Sequence, residues 1–339
     1  MRILITGGAG FIGSHLVDHL LKDGNHKITV FDILEEQVHG TSKEPPSYLN
    51  ENAEFILGSV TNYDKLKDLI VQNDVVFHLA AMVGVGQSMY KIKKYTKNNI
   101  LGIGNLLDIL VNEEHSIKKV VIASSNTVYG EGKYKCDKCG IVYPPLRSEK
   151  QLKIKAWKVK CPICSSEIKA LLTDESTPFN PSSVYAFSKE AQCGIFASRL
   201  FSNKPPLIFE DGNQTRDFVH VSDICQGLNL AMKSNAATGE IFNIGTGNPI
   251  SIKVVAEIIT KKINSNIKPK ISNSYRVGDI RHCVADISKI KSKLEYSPKV
   301  KFKDGIDTFI KWIQSQDFDN KSKSSKAMKE LKEKNLIKE

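Results

Sequence analysis

Thr6-Gly7-Gly8-Ala9-Gly10-Phe11-Ile12-Gly13 directly follows the apolar run Arg2–Thr6 and opens an amphipathic stretch over 12–23. Strand, glycine turn and helix in that order leave few folds open. Gly7 permits the tight turn, Gly10 lets the backbone approach a pyrophosphate, and Gly13 lets helix and strand pack closely. The helix N-terminus then offers its N–H groups to phosphate. A purely structural glycine turn would need no acid at the end of the next strand. Asp32 stands there, 19 residues after Gly13. A carboxylate in that place holds both ribose hydroxyls and repels a 2′-phosphate, which selects NAD over NADP.

The first 130 residues alternate short apolar runs with amphipathic stretches, which predicts βαβ units and a parallel sheet. Strands are expected at Arg2–Thr6, Lys27–Phe31, Glu54–Leu57, Val75–Leu79 and Lys119–Ala123, with helices near 12–23, 62–72 and 93–113. Runs such as VVFHLAA and VVIAS suit strands covered on both faces. The rhythm breaks over 133–169 and resumes at Ser182. From about 205 it is mixed, with helix-like runs Ile250–Ile263 and Asp304–Gln314. No run approaches ~18 apolar residues, so no membrane span is expected. The start MRILITGGAGFIG lacks the apolar stretch and cleavage site of a signal peptide. A cytoplasmic protein is expected.

The formal net charge of +11 first suggests a nucleic-acid partner. Residues 133–169, however, hold ten Lys/Arg against three acids, and the tail Asp317–Glu339 seven against five. The remaining 31 basic and 29 acidic residues nearly cancel. Proteins that follow a phosphate backbone spread their basic residues along a face, so nucleic acid is not the expected partner. The same 133–169 segment carries Cys136-x-x-Cys139-Gly140 and Cys161-x-x-Cys164, separated by 21 residues. Two such knuckles present four thiolates to one tetrahedral ion, which points to a structural zinc. A redox-active pair would precede a helix within a βαβ unit, and neither pair does. A nucleic-acid-binding ribbon is the other reading, because Trp157 stands among Lys153, Lys155, Lys158 and Lys160.

Tyr185 and Lys189 are four apart in SSVYAFSK, on one face of a helix. Such a pair also arises as an ordinary half-buried helix face. A phenol near its usual ~10 is a poor base unless a cation lowers it, and Lys189 would do so. Upstream, the strand at Lys119–Ala123 ends in Ser124-Ser125-Asn126-Thr127-Val128-Tyr129-Gly130. A Ser at the carboxyl end of a parallel strand reaches the reacting oxygen beside the tyrosine.

In order, TGGAGFIGSH, FHLAA, SSNTVYG, YAFSK, RDFVHVSD and FNIGTG resemble the extended short-chain dehydrogenase/reductase superfamily, specifically its NAD-dependent nucleotide-sugar epimerases and dehydratases. The resemblance implies a Rossmann-type doubly wound α/β sheet with a smaller C-terminal substrate domain, here interrupted by a zinc-ribbon-like insert. It implies Ser125, Tyr185 and Lys189 as catalytic residues. NAD would be held by Gly7, Gly10, Phe11, Ile12, Gly13, Asp32, Ala80, Tyr185 and Lys189, with Asn99 as the family's structural asparagine. A nucleotide-diphosphate sugar would meet Ser125, Asn126, Thr127, Arg216 and Arg276; guanidinium forks suit diphosphates, although surface salt bridges explain isolated arginines too. In the family's dehydratases an Asp-Glu pair stands where this chain has Asn126 and Thr127. The general acid and base of dehydration are therefore missing, and 4-epimerisation through a 4-keto sugar is the expected reaction. Another oxidoreductase reaction of the family is the alternative. The cysteine-paired insert resembles a branch that includes dTDP-L-rhamnose 4-epimerases, with a UDP-hexose the other candidate substrate. A homodimer is expected on the same ground.

The expected division is 1–132 with 170–204 for the NAD-binding unit and 133–169 for the insert. Residues 205–316 form the substrate region with the end of the core, and 317–339 a frayed, Lys-rich tail or loose helix. Two departures stand out. Ser59 replaces the aspartate that relatives use for the adenine amine. Only 26 residues separate Lys189 from Arg216, too few for the strand and Arg-x-x-Asn-x-Tyr-Gly-Pro turn of relatives. The shortfall reads as an internal deletion, with Glu190–Asn203 as a helix and Leu207–Glu210 as a hairpin into RDFVHV. A catalytically silent NAD- and zinc-binding scaffold is the reading that this shortfall keeps open.

Overall fold

A computed structural model describes residues 1–178, 180, 183, 207–276, 279–315, 329–333 and 337–338. Five strands, β1 (Arg2–Thr6), β2 (Lys27–Asp32), β3 (Glu54–Leu57), β4 (Val75–His78) and β5 (Lys119–Ile122), form one parallel sheet in the order β3-β2-β1-β4-β5. Ile3 and Ile5 of β1 pack on one face with Leu16 and Leu20 of the helix Phe11–Asp23. Leu4 packs on the other with Leu66, Ile70, Leu106 and Ile109. Helices thus cover both faces, which is why these strands read as continuous apolar runs. The strand order reverses between β1 and β4, and the crevice above that point is where such sheets bind ligands.

The helix Tyr63–Val71 begins at Asn62, whose Oδ1 accepts the Lys65 N–H at 3.1 Å. The stretch expected as one helix over 93–113 consists of a helical turn Ile92–Tyr95, a π turn Thr96–Leu101 and the helix Gly102–Asn112. The π turn carries Asn99, whose side chain accepts from Met82 N at 2.7 Å and donates to Met82 O at 3.3 Å. This pair of bonds fixes the loop after β4.

The insert forms β6 (Tyr134–Cys136), β7 (Gly140–Val142) and β8 (Lys169–Ala170), antiparallel in the order β7-β6-β8. Beyond it lie β9 (Leu207–Ile208), β10 (Thr215–Asp217), β11 (Pro249–Ser251), β12 (Lys270–Ile271), β13 (Tyr275–Arg276), β14 (His282–Cys283) and β15 (Ile337–Lys338). The hairpin expected from Leu207–Glu210 into Arg216 does not form. β9 pairs in parallel with β12, while β10 pairs with β11 and β14. The chain does turn at Gly212 (φ +77°), but Glu210 points inward to Arg147 and Arg281 and its two flanking strands part to separate partners. The helix expected from Ile250 starts at Ile252, because Ser251 caps it and accepts from Val254 N at 3.3 Å. The tail is tied down where it is described: Glu330 accepts from the Tyr90 hydroxyl at 2.6 Å, and β15 pairs antiparallel with β13.

Among the described residues the main sheet ends at β5, and neither β9 nor β10 joins it. The expected helix Glu190–Asn203 lies outside the described residues. No described helix is long and apolar enough to cross a membrane.

His78 ends β4 and is 5% exposed, with its Nδ1 2.9 Å from the Thr6 hydroxyl. Burial holds its imidazole at about 4, below the ordinary 6.5. The unfolded chain therefore takes up a proton first, and the stability from neutral His78 is complete above pH 6.5 and lost between 6.5 and 4. Urea titrations should show roughly 2 kcal/mol less stability at pH 5 than at pH 7 from this residue. A His78→Gln variant should lack that part of the pH dependence.

Candidate active site

A cleft of about 1160 Å³ opens at the carboxyl ends of the parallel strands and runs on along β5 to Lys119 and Thr238. That exceeds the ~300–1,000 Å³ of ordinary small-molecule sites. Gly7, Gly10, Phe11, Ile12, Gly13, Asp32 and Ala80 all line it, so the structure brings the predicted nucleotide-binding residues together. A Cβ on Gly7 (φ +73°) would lie 2.6 Å from Ala80 N, and one on Gly13 2.5 Å from Gly7 O. Both positions exclude any side chain. A Cβ on Gly10 would meet only Gly7 O, at 3.3 Å. Steric pressure from the protein is weakest there, where a ligand's backbone approach would supply the reason for glycine. Gly10 starts the helix with no side-chain cap, so the amides of its first turn face the cleft.

Asp32 accepts from Ala9 N at 3.1 Å and Leu34 N at 2.9 Å. Its carboxylate is thereby fixed against the glycine turn at the cleft wall. Ser59 also lines the cleft, bonded to Thr61 Oγ1 at 2.9 Å. Asn99 acts from behind the wall, through Met82. These features fit a dinucleotide: two glycines that only backbone contact explains, an uncapped helix start and an acid at the end of β2.

At the end of β5, Ser125 caps the short 3-10 turn Asn126–Tyr129. Its Oγ is 2.8 Å from Thr127 Oγ1 and accepts from Thr127 N at 3.3 Å. Asn126 donates to Cys283 Sγ at 3.5 Å, linking this turn to β14. Tyr129 is buried, donates to Asn243 Oδ1 at 3.0 Å, and is pushed up to about 12 by burial. Ser125 and Asn126 line the same cleft as the glycine turn. Tyr185 and Lys189 lie outside the described residues.

Arg216 and Arg276, 60 positions apart in sequence, meet at one carboxylate. Asp279 Oδ1 is 3.3 Å from Arg216 Nη2, and Oδ2 is 2.8 Å from Arg276 Nη2. Burial opposes ionisation of Asp279, yet Arg276 and Arg216 hold it below the ordinary carboxylate range. Arg216 is buried and also donates to the carbonyls of Ile280 and Arg281. Arg276 is half-buried and lies 4.7 Å from the Phe209 ring centroid, and its buried Nε has no hydrogen-bond partner among the described residues. Neither arginine lines the large cleft, but Asp217, the next residue on β10, does.

Sequence reading missed what surrounds them. Arg147 of the insert forks onto Glu210 at 2.7 and 3.0 Å and reaches Glu131 at 3.3 Å. Arg281 bonds Glu210 at 2.9 Å and Asp211 at 2.6 and 2.8 Å. Burial pushes Glu131 up despite its Arg147 and Arg281 partners. The available signal was scarcity: the chain has six arginines, and Arg147, Arg216, Arg276 and Arg281 are four of them. Guanidinium is the cation suited to buried forks.

The Sγ atoms of Cys136, Cys139, Cys161 and Cys164 lie within 4.8 Å of one another, with Cys136 and Cys164 3.6 Å apart. Tetrahedral zinc at Zn–S ~2.3 Å would set its sulfurs ~3.8 Å apart, so the donor set fits. Gly140 (φ +77°) closes the first knuckle, and Cys161 N donates to Ser166 O at 2.9 Å in the second. The Ser166 hydroxyl and amide draw the Cys164 thiol down toward the thiolate, while its contact with Cys164 pushes the Cys139 thiol up. Trp157 packs toward Tyr275, ring centroids 6.4 Å apart, rather than standing clear as a platform for bases.

Parallel sheet, glycine turn and cleft define a Rossmann-type nucleotide-binding protein. The GDP-mannose 4,6 dehydratase family model matches residues 4–139 and 196–309, and the chain belongs to that family. The unmatched stretch between them holds most of the insert together with Tyr185 and Lys189. The chain is 28% identical to the dTDP-L-rhamnose 4-epimerase of Burkholderia thailandensis, over 95% of this chain and 97% of that protein. It is 30% identical to a putative UDP-glucose 4-epimerase of Methanocaldococcus jannaschii, over 92% and 98%. Among solved structures it resembles the UDP-glucose 4-epimerase of Thermotoga maritima with UDP-glucose: TM-score 0.72, 25% identity, 93% and 99% coverage.

Glu210→Ala would leave Arg147 with the more distant Glu131 and Arg281 with Asp211. Removing one partner from a buried ion pair costs about 3–5 kcal/mol. Denaturant titration should show a loss of that size, against under about 1 kcal/mol for Glu167→Ala, whose partner Lys158 is exposed.

Proposed function

We propose that this protein is an NAD-dependent nucleotide-sugar 4-epimerase. The observation that carries the reading is the turn after β5. Ser125 and Asn126 face the cleft that the glycine turn and Asp32 also line, and amide and hydroxyl stand at 126 and 127 where a dehydratase needs two acids. The family and the epimerases among its relatives support it. NAD would be held by the turn Gly7–Gly13, Asp32 and Ala80, and would supply a hydride acceptor and donor. Tyr185 would take the sugar's 4-OH proton and return it after the 4-keto sugar has turned its other face. Lys189 would lower the tyrosine's pKa, and Ser125 Oγ would hold the reacting oxygen. Arg276, whose side chain is partly exposed, and the buried Arg216 behind it would meet the diphosphate. The substrate reading favours a dTDP-6-deoxyhexose or a UDP-hexose.

The four cysteines would hold one structural zinc, with every position filled and none open to catalysis. The domain division proposed is an NAD-binding unit of 1–132 with 170–204, the insert 133–169, a substrate region 205–316 and the tail. Exposed Ile100, Leu101, Leu107 and Val111 on the run from the π turn to Asn112 support a homodimer that covers them. A second reading, a scaffold that binds NAD and zinc without turnover, draws on β5 being the last described strand of the sheet.

Incubation with dTDP-L-rhamnose, UDP-glucose and UDP-glucuronate should interconvert at least one C4 epimer pair. Tyr185→Phe should lower kcat by about 10²-fold or more while NAD stays bound. Bound NAD with no interconversion of any of these sugars would favour the scaffold. Metal analysis should find about one zinc per chain, and Cys161→Ser should lose most of it.

A further inference from the structure

We propose that Arg147 is a positioning residue through which the cysteine-rich insert sets the diphosphate-binding arginines. The inference rests on reading Arg216 and Arg276 as diphosphate ligands, and it concerns affinity rather than the chemical step.

Arg147 is the insert's one arginine among ten basic residues. Its side chain is 2% exposed, while Lys135, Lys138, Lys150, Lys153, Lys155, Lys158, Lys160 and Lys169 all face solvent. One guanidinium has been separated from the solvated charges and sent inward. Besides its fork onto Glu210, it donates from Nη2 to the Asp279 carbonyl at 3.0 Å and from Nη1 to the Trp157 carbonyl at 3.2 Å. The Asp279 carboxylate, in turn, spaces Arg216 and Arg276. Arg147 thus anchors the backbone of the residue whose side chain aims both candidate ligands.

Two more insert contacts converge on the same strand. Trp157 packs on Tyr275, beside Arg276 on β13. Glu149 pairs with Lys338 of β15, the strand that zips onto Tyr275 and Arg276. The insert therefore grips β13 from its side chains and from its strand partner.

Charge balance makes the dependence specific. Arg147, Arg216, Arg276 and Arg281 face Glu131, Glu210, Asp211 and Asp279, four cations against four carboxylates. Without Arg147, Glu210 would retain only Arg281, and Glu131 only the Arg281 amide. A net negative charge would then compete with an incoming diphosphate for the remaining guanidiniums. The insert has a small core of Tyr134, Cys136, Val142, Val159 and Cys161. A module of this size needs its metal to hold shape. Metal occupancy of the four cysteines would therefore be felt at Arg276.

The test uses the full-length, zinc-loaded protein and calorimetric titration with UDP and dTDP, with NAD binding as the check on folding. Arg147→Met should weaken binding of the preferred nucleotide about tenfold or more, with zinc and NAD retained. Adding Glu210→Gln to that variant restores the charge balance and should recover much of the loss. Removing zinc from the wild type with a chelator should reproduce the weakening, and adding zinc back should reverse it. Where a sugar is turned over, KM should rise while kcat changes little. Unchanged nucleotide affinity in Arg147→Met with NAD bound would overturn the proposal, as would a double variant no better than the single. Should Arg147→Met lose NAD binding, unchanged affinity in the chelator-treated wild type overturns it. A wild type that binds neither nucleotide overturns it too, whereas nucleotide binding without epimerisation defeats the functional reading alone.

Discussion

The absence of side chains at Gly7 and Gly13 sets the geometry from which the rest follows. A Cβ at either position would sit within van der Waals radii of neighbouring backbone, against Ala80 or against the Gly7 carbonyl. Helix Phe11–Asp23 can therefore start directly over the carboxyl end of β1. That start fixes the direction of its first-turn amides, and Ala80 fixes the loop after β4 against the same turn. Asp32 closes the third side by bonding Ala9 N. The cleft owes its position to backbone packing, and side chains are added to a frame already determined.

A second constraint joins parts of the chain that the sheet does not. Glu131, Arg147, Glu210 and Arg281 come from the entry to the insert, its middle, the turn after β9 and the segment before β14. Among the described residues no hydrophobic cluster spans those four segments. Buried ion pairs add little stability relative to apolar packing, but they tolerate few alternative arrangements. A forked guanidinium accepts one geometry of carboxylate. The cluster therefore specifies how the insert is seated more than how tightly.

Much of this was legible from sequence because it rests on local, periodic patterns. β1 and β3 match their expected bounds to the residue, since each short apolar run stops at a glycine, Gly7 and Gly58. The cysteine knuckles were readable by spacing, and their sulfurs converge. The break of the 93–113 helix into a π turn was not readable: it is set by the bonds of Asn99 to Met82, and nothing in the local pattern demands it. β9 and β12 form a two-residue pairing between positions 63 apart in the chain, below the length at which periodicity carries a signal. The hairpin expectation failed for that reason. The Asp-Gly turn exists, but the partners of the strands around it are chosen by Glu210's burial. Ion pairs between distant segments leave no periodic trace, so Arg147 looked like one basic residue among ten.

The basic excess then has two physical uses. The exposed lysines of the insert surround four thiols which, with one zinc bound, would carry a local charge of about −2. They offset it at long range and keep the module solvated. Arg147 does the opposite: buried, it adds nothing to the field at the surface and completes a neutral cluster inside. An anionic substrate approaching β13 would meet the partly exposed Arg276 side chain and a carboxylate, Asp279, already shared between two arginines. Net charge therefore says little about the ligand of this protein. What decides is which guanidinium solvent can reach, and of the two candidate ligands that is Arg276, whose side chain is 28% exposed against 3% for Arg216.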